Sequence, residues 1–235
     1  MIINERQLSE NLFKETSRIN LSIATRNSKA YYMFTKLLKE MGINYNSINI
    51  NDDINRGTLI LTTTKEKKEI KANRIITIEE LSQEITTNKE LIISSLYNNK
   101  EDTMVVGIDP GEKIGISIYL KHYEIYSNTF NSVEVTVDNL SKIIKKSKCS
   151  KKIIRVGTGF PKIGKQLIKE IFGECENIEI EQVDESGTSS LGKNKFGKKG
   201  TRDQYSARII AFRVGKKRNK KLGGMNLTIN KIIQI

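Results

Sequence analysis

Between Met104 and Val214 three strand-length runs follow one another across short turns, and the chain then alternates helix and strand patterns. Met104 to Asp109, Ile114 to Tyr119 and Tyr123 to Phe130 predict an antiparallel meander, because connections this short join only antiparallel neighbours. A helix over Val137 to Lys146, with Leu140, Ile143 and Ile144 apolar, leads to a strand at Lys152 to Val156. A helix over Gly164 to Phe172, a strand at Ile178 to Val183 and a helix over Arg202 to Val214 follow. Strands separated by helices pair in parallel, so the pattern predicts an α/β fold: a mixed five-stranded sheet with helices on both faces.

The first 100 residues read as a separate small α/β domain of Rossmann-like or receiver-like layout. Leu21 to Thr25 predicts a strand, and Ser28 to Met41 a helix with Ala30, Phe34, Leu37, Leu38 and Met41 on one face. Gly42 stands at the left-handed position that closes such a helix. Strands at Tyr45 to Ile50, Thr58 to Thr63 and Arg74 to Ile78 and helices over Glu79 to Ile85 and Lys89 to Tyr97 complete it. No glycine-rich phosphate loop of either common spacing occurs in it. The polar run Asn98 to Asp102 sets the expected boundary, with residues 1–100 before it and 101–235 after it. The tail Asn226 to Ile235 reads as one more strand.

Lys and Arg number 40 against 27 Asp and Glu, a formal charge of +13. The first 100 residues carry 15 basic and 12 acidic side chains and the rest 25 and 15, so the excess belongs to the second half. Within it, Lys193 to Lys221 holds twelve basic residues and one acid, Asp203. Gly192, Gly197 and Gly200 loosen the start of that run, while Ala207, Ile210, Ala211 and Val214 give its later part a helical apolar pattern. The reading is a basic loop feeding a helix, with Lys193, Lys195, Lys198, Lys199, Arg202 and Arg208 as candidate contacts to nucleic acid. A solvated basic surface without a polyanion is the plainer alternative.

Two isolated cysteines, Cys149 and Cys175, and a lone His122 argue against structural zinc and against a Cys/His nucleophile. No run approaches the ~18 apolar residues of a membrane span, and the N-terminus lacks a leader pattern, so the expected setting is the cytoplasm, away from membranes.

Three carboxylates stand out by position. Asp109 ends an apolar strand, Glu185 follows the last strand of the alternating region, and Asp203 lies in the first turn of the final helix. Each has an ordinary explanation: Asp before Pro-Gly is turn chemistry, and Asp at a helix start favours the dipole. Taken together, strand ends placed side by side bring them to one sheet edge. Crowded carboxylates repel unless a cation sits among them, and an all-oxygen set selects Mg²⁺ or Mn²⁺.

Val106-Gly107-Ile108-Asp109-Pro110-Gly111 resembles the first strand of the RuvC and YqgF branch of the RNase H-like superfamily. Val156-Gly157-Thr158-Gly159-Phe160-Pro161 resembles the VGLP-type turn of YqgF proteins, and Asp184 to Ser189 their DERxT segment. Arg202 to Ile210 is similar to the last helix of the family. The resemblance covers about half the chain and implies that Asp109, Glu185 and Asp203 are the metal-binding, catalytic carboxylates of a nuclease acting on structured DNA or RNA. Ser186 stands where the family has Arg, and Ser206 where resolvases can carry a further Asp. Cleavage of a branched junction would require two active sites and hence a homodimer. Two other functions remain open: a nucleic-acid binder without catalysis on the same fold, and an ATP-binding protein of the actin and sugar-kinase type, which needs two such cores where this chain has room for one.

Overall fold

The computed structural model describes residues 21–97, 102–185 and 202–219. Lys193, Lys195, Lys198 and Lys199, and the strand expected at Asn226 to Ile235, lie outside the described residues.

The first unit is a parallel sheet of β1 (Leu21–Ile23), β2 (Asn46–Ser47), β3 (Leu59–Thr62) and β4 (Ile75–Thr77), in the order β2-β1-β3-β4. Helix α1 (Ser28–Met41) forms as its pattern dictates. Asn27 caps it by accepting from Ala30 N–H at 3.0 Å, and Gly42, at φ 66°, closes it with N–H bonds to Leu38 and Lys39 carbonyls. Its buried face is the expected one, Ala30, Phe34, Leu37, Leu38 and Met41.

The helix expected over Glu79 to Ile85 is a single tight turn, Ile78–Glu80. Glu80 folds back to accept from Thr77 N–H at 2.5 Å, and the Asn88 side chain takes both backbone groups of Ser82, so the following residues are held as a loop. Helix α2 then runs Ile85–Tyr97, starting earlier than its apolar spacing suggests.

The second unit is β5 (Thr103–Asp109), β6 (Ile114–Leu120), β7 (Tyr123–Phe130), α3 (Val133–Lys146), β8 (Lys151–Gly157), α4 (Pro161–Glu174), β9 (Glu179–Val183), α5 (Arg202–Phe212) and β10 (Lys216–Arg218). Strand order is β10-β9-β8-β5-β6-β7, with β5, β8 and β9 parallel and β5, β6 and β7 antiparallel. Five of these strands form the RNase H-like mixed sheet that the sequence pattern predicts. The sixth, β10, was hidden in the basic run. It pairs antiparallel with β9, where Lys217 meets Glu179 and Arg218 meets Gln182, an edge covered with charge as exposed edges commonly are.

Side chains alternate across the central strand. Val106 and Ile108 are fully buried in the core that also holds Leu140 of α3 and Leu167 and Ile171 of α4, while Gly107 between them lies beneath α5. The two units are separate sheets but not separate cores. One apolar cluster runs from Leu21, Phe34 and Leu38 through Ile92 and Ile93 of α2 to Met104 and Ile118. Polar ties cross the same boundary: Glu90 accepts from Ser147 Oγ (3.0 Å) and Lys148 N–H (2.7 Å), and Tyr97 Oη meets His122 Nε2 at 3.1 Å.

In the first sheet the chain leaves β1 in one direction and returns to β3 on the other side, which opens a crevice at the carboxyl ends of those strands, where such sheets take ligands. Here the buried carboxylate of Glu66 fills it, accepting from Thr25 Oγ1 (2.5 Å), Arg26 N–H (2.7 Å) and Thr63 Oγ1 (2.8 Å). Burial opposes ionisation of Glu66, but these hydrogen bonds and the nearby Arg26 charge outweigh it and hold the carboxyl below its ordinary range. A carboxyl depressed on folding adds stability that is present above its unfolded pKa of 4.5 and is lost as pH falls through the folded value. Glu66→Ala, which strands the three donors, should cost ~1–3 kcal/mol in denaturant unfolding at pH 7. The gap to wild type should narrow as pH drops below the carboxylate range.

Candidate active site

Asp109 is the last residue of β5 and pairs across to Gly115 of β6. Helix α5 lies directly on these two strands. A Cβ at Gly107 would stand 2.0 Å from the Ala207 carbonyl oxygen, and one at Gly115 2.1 Å from the Asp203 carbonyl oxygen. Neither glycine has a left-handed φ, so space rather than backbone conformation excludes a side chain there. The close approach sets the first turn of α5, with Asp203, over the end of β5. One turn on, Ser206 hydrogen-bonds the Asp109 carboxyl.

Glu185 arrives by a longer route than the sequence suggests. Its strand β9 is not adjacent to β5, because β8 lies between them. The side chain reaches across the end of β8, where Gly157 leaves room: a Cβ there would stand 1.9 Å from Glu185 Oε1. Oε1 accepts from Gly159 N–H at 2.9 Å.

Glu185 and Asp203 both act on Asp109. Burial, then the charge of Glu185, and more weakly that of Asp203, push the Asp109 carboxyl up to about 7; the Ser206 hydroxyl and the Arg202 charge work the other way. A carboxyl displaced by burial and like charges together is a candidate functional group. Among the described residues no three His, Cys, Asp or Glu side chains already stand at metal-coordination spacing. The donor set is all oxygen, the kind that a hard divalent cation such as Mg²⁺ or Mn²⁺ would take.

Of the candidate basic contacts, Arg202 is exposed in the first turn of α5, beside the carboxylates. Arg208 has a different place from the one expected. Its guanidinium makes a two-pronged ion pair with Glu124 of β7 (2.8 and 2.9 Å), which also accepts from Ser117 Oγ, and this ties α5 to the sheet. Lysine and arginine counts along the chain carry no hint of that partner, which comes from 84 residues away.

Three further features escaped the sequence reading. Arg155, with its side chain 13% exposed, pairs with Glu181 (8%) and donates to the Ala211 carbonyl at 2.6 Å, while Arg213 donates to the Asp184 carbonyl at 3.0 Å. Together they clamp the end of α5 to β8 and β9. Phe160, half exposed, stands beside Gly111 at the start of α4; in the sequence it is visible only as part of the Val156 to Pro161 turn, with nothing to show its exposure. A cleft of about 290 Å³ between α2 and α3 is lined by Thr86, Thr87, Tyr126, Asn139, Lys142 and Lys146. It shares no residue with the carboxylate edge, and both its lysines are in ion pairs, Lys146 with Glu84 and Lys142 with Asp138. The edge, where like charges are left facing one another, is therefore the stronger candidate.

No family model matches the chain, and neither does any curated protein. Among solved structures there is a likeness to Marinitoga piezophila Argonaute in complex with 5′ OH guide RNA and target DNA, at 10% identity and TM-score 0.31, covering 70% of this chain and 39% of that one. The same Argonaute with 5′ OH guide RNA gives 11% and 0.27 over the same shares. Likeness at this level carries no argument about activity, and the chain spans well under half the length of those proteins. No helix among the described residues is long and apolar enough to cross a membrane.

A carboxyl raised on folding costs stability once it must ionise: the penalty is absent below its unfolded pKa of 3.8 and complete above about 7. Metal-free Asp109→Asn should therefore unfold at a higher temperature than wild type at pH 8 and at nearly the same one at pH 4. The gain at pH 8 should be ~2 kcal/mol, about half of what the displacement alone implies, since the carboxyl is partly solvated. Gly115→Ala should cost ~1–3 kcal/mol, because its Cβ meets backbone that must shift; the same change moves Asp203 off β5 and should lower the Asp109 titration midpoint read by NMR.

Proposed function

We propose that this chain is a metal-dependent nuclease of the RuvC and YqgF branch of the RNase H-like superfamily, hydrolysing phosphodiester bonds in structured DNA or RNA. The observation that carries the reading is the end of β5, where Asp109 is half buried, the Asp203 turn of α5 lies over it and the Glu185 carboxylate reaches across β8. Asp109, Glu185 and Asp203 would hold Mg²⁺ or Mn²⁺, which when bound supplies charge to activate a water and to steady the leaving oxygen. Ser206 fixes the Asp109 carboxyl through its hydroxyl. Arg202, exposed beside the carboxylates, would hold a phosphate of the substrate, and the basic excess of the second half favours a polyanion. The half-exposed ring of Phe160 offers a surface on which an unpaired base can stack.

A second reading, a nucleic-acid binder without catalysis, draws on the lack, among the described residues, of three carboxylates already gathered for a metal. The two are separated by incubating labelled single-stranded, duplex and four-way-junction DNA and matching RNAs with the protein in Mg²⁺, Mn²⁺ or EDTA. The nuclease reading predicts metal-dependent cutting that falls more than about 100-fold in Asp109→Asn, beyond what loss of an outer-shell partner costs. Salt-sensitive binding with no cutting on any substrate would leave the binder.

A further inference from the structure

We propose that Gly157 and Gly159 are positioning residues: the turn after β8 is a seat that carries the Glu185 carboxylate across β8 and presents it to Asp109. The inference rests on the reading of Glu185 as a metal ligand.

The seat has three components. The strand order puts β8 between β9 and β5, so a side chain from the end of β9 meets Asp109 only by passing over the end of β8. At that crossing, a Cβ on Gly157 would fall 1.9 Å from Glu185 Oε1 and 2.8 Å from Ile210 Cδ1. At Gly159 a Cβ would fall 2.8 Å from Glu185 Oε2, and every close neighbour is an atom of that same carboxylate. The Gly159 N–H then holds Oε1 at 2.9 Å.

Neither glycine has a positive φ. Chain conformation does not demand them, and the space they leave is taken by the Glu185 carboxylate. The result is one that mere strand packing does not require: an acidic group from the end of β9 lies over the end of β8, the strand next to β5. A carboxylate with one oxygen bonded to a backbone N–H is oriented in the way that outer-shell partners orient metal ligands, and such partners matter about 10–100-fold to metal affinity.

Gly159→Ala is the informative variant, since its methyl collides with nothing but the far end of Glu185. Gly173→Ala, which meets open space, is the control. In the full chain, Mg²⁺ affinity measured by calorimetry should weaken about 10–100-fold in Gly159→Ala and stay at the wild-type value in Gly173→Ala, with the thermal midpoint lowered in neither, since alanine in helix α4 can only raise it. Unchanged affinity in Gly159→Ala overturns the seat while leaving the nuclease reading intact. The Gly159 amide proton gives a second readout that needs no metal: it should move upfield in Glu185→Gln, where a neutral oxygen replaces the charged acceptor. If wild type binds no Mg²⁺, the metal reading falls, and this resonance alone decides the seat: an upfield move supports it, and no move overturns it.

Discussion

Helix α5 rests on β5 and β6 at a separation that only backbone can occupy, and the candidate site follows from that contact. Any Cβ at Gly107 or Gly115 would overlap the carbonyls of Ala207 or Asp203. Because the helix cannot sit this low on a strand with side chains, those two glycines fix the height and register at which Asp203 and Ser206 meet Asp109. At the other end of α5 the Arg155–Glu181 pair and the Arg213 bond to Asp184 fasten the helix to β8 and β9. A helix held at both ends can keep like charges together, which the sheet alone would let drift apart.

The arrangement favours charge repulsion over stability. Burial and the charges of Glu185 and Asp203 work against ionisation of Asp109 and push its carboxyl up to about 7. Glu66 in the first sheet shows the opposite solution with the same chemical group. Its carboxylate is buried too, but hydroxyls and a backbone N–H surround it, and its pKa falls. One carboxylate is held ionised by donors of its own protein, while the other, at a strand end, is pushed toward its neutral form by burial and like charges that outweigh the Ser206 hydroxyl. That contrast is the physical ground for placing function on the second unit and for treating the first as its partner in a shared core.

Much of this was legible in the sequence wherever a local rule decides the outcome. The α1 face and its Gly42 closure, the β5–β6–β7 meander and the alternating β8–α4–β9 order all follow from spacing. The carboxylates were visible as residues ending apolar strands or opening a helix. What spacing could not carry was anything set by distant partners. The turn at Ile78–Glu80 reads as a helix because the Glu80 and Asn88 side-chain bonds that stop it are not periodic. β10 reads as a solvated basic run because its strand pairing depends on acidic and amide groups of β9. Arg208 looks like a phosphate contact until Glu124 is found beside it, and Glu185 looks like a neighbour of Asp109 until β8 is found between their strands.

The central claim is that Asp109, Glu185 and Asp203 surround one divalent cation. Anomalous diffraction from crystals of the full chain soaked in Mn²⁺ tests it most directly. A metal held by this edge gives a single strong peak bounded by oxygens of those three carboxylates, with the Glu185 side chain lying over Gly157. A Mn²⁺ peak elsewhere, or none at this edge in crystals whose carboxylates are well ordered, would contradict it.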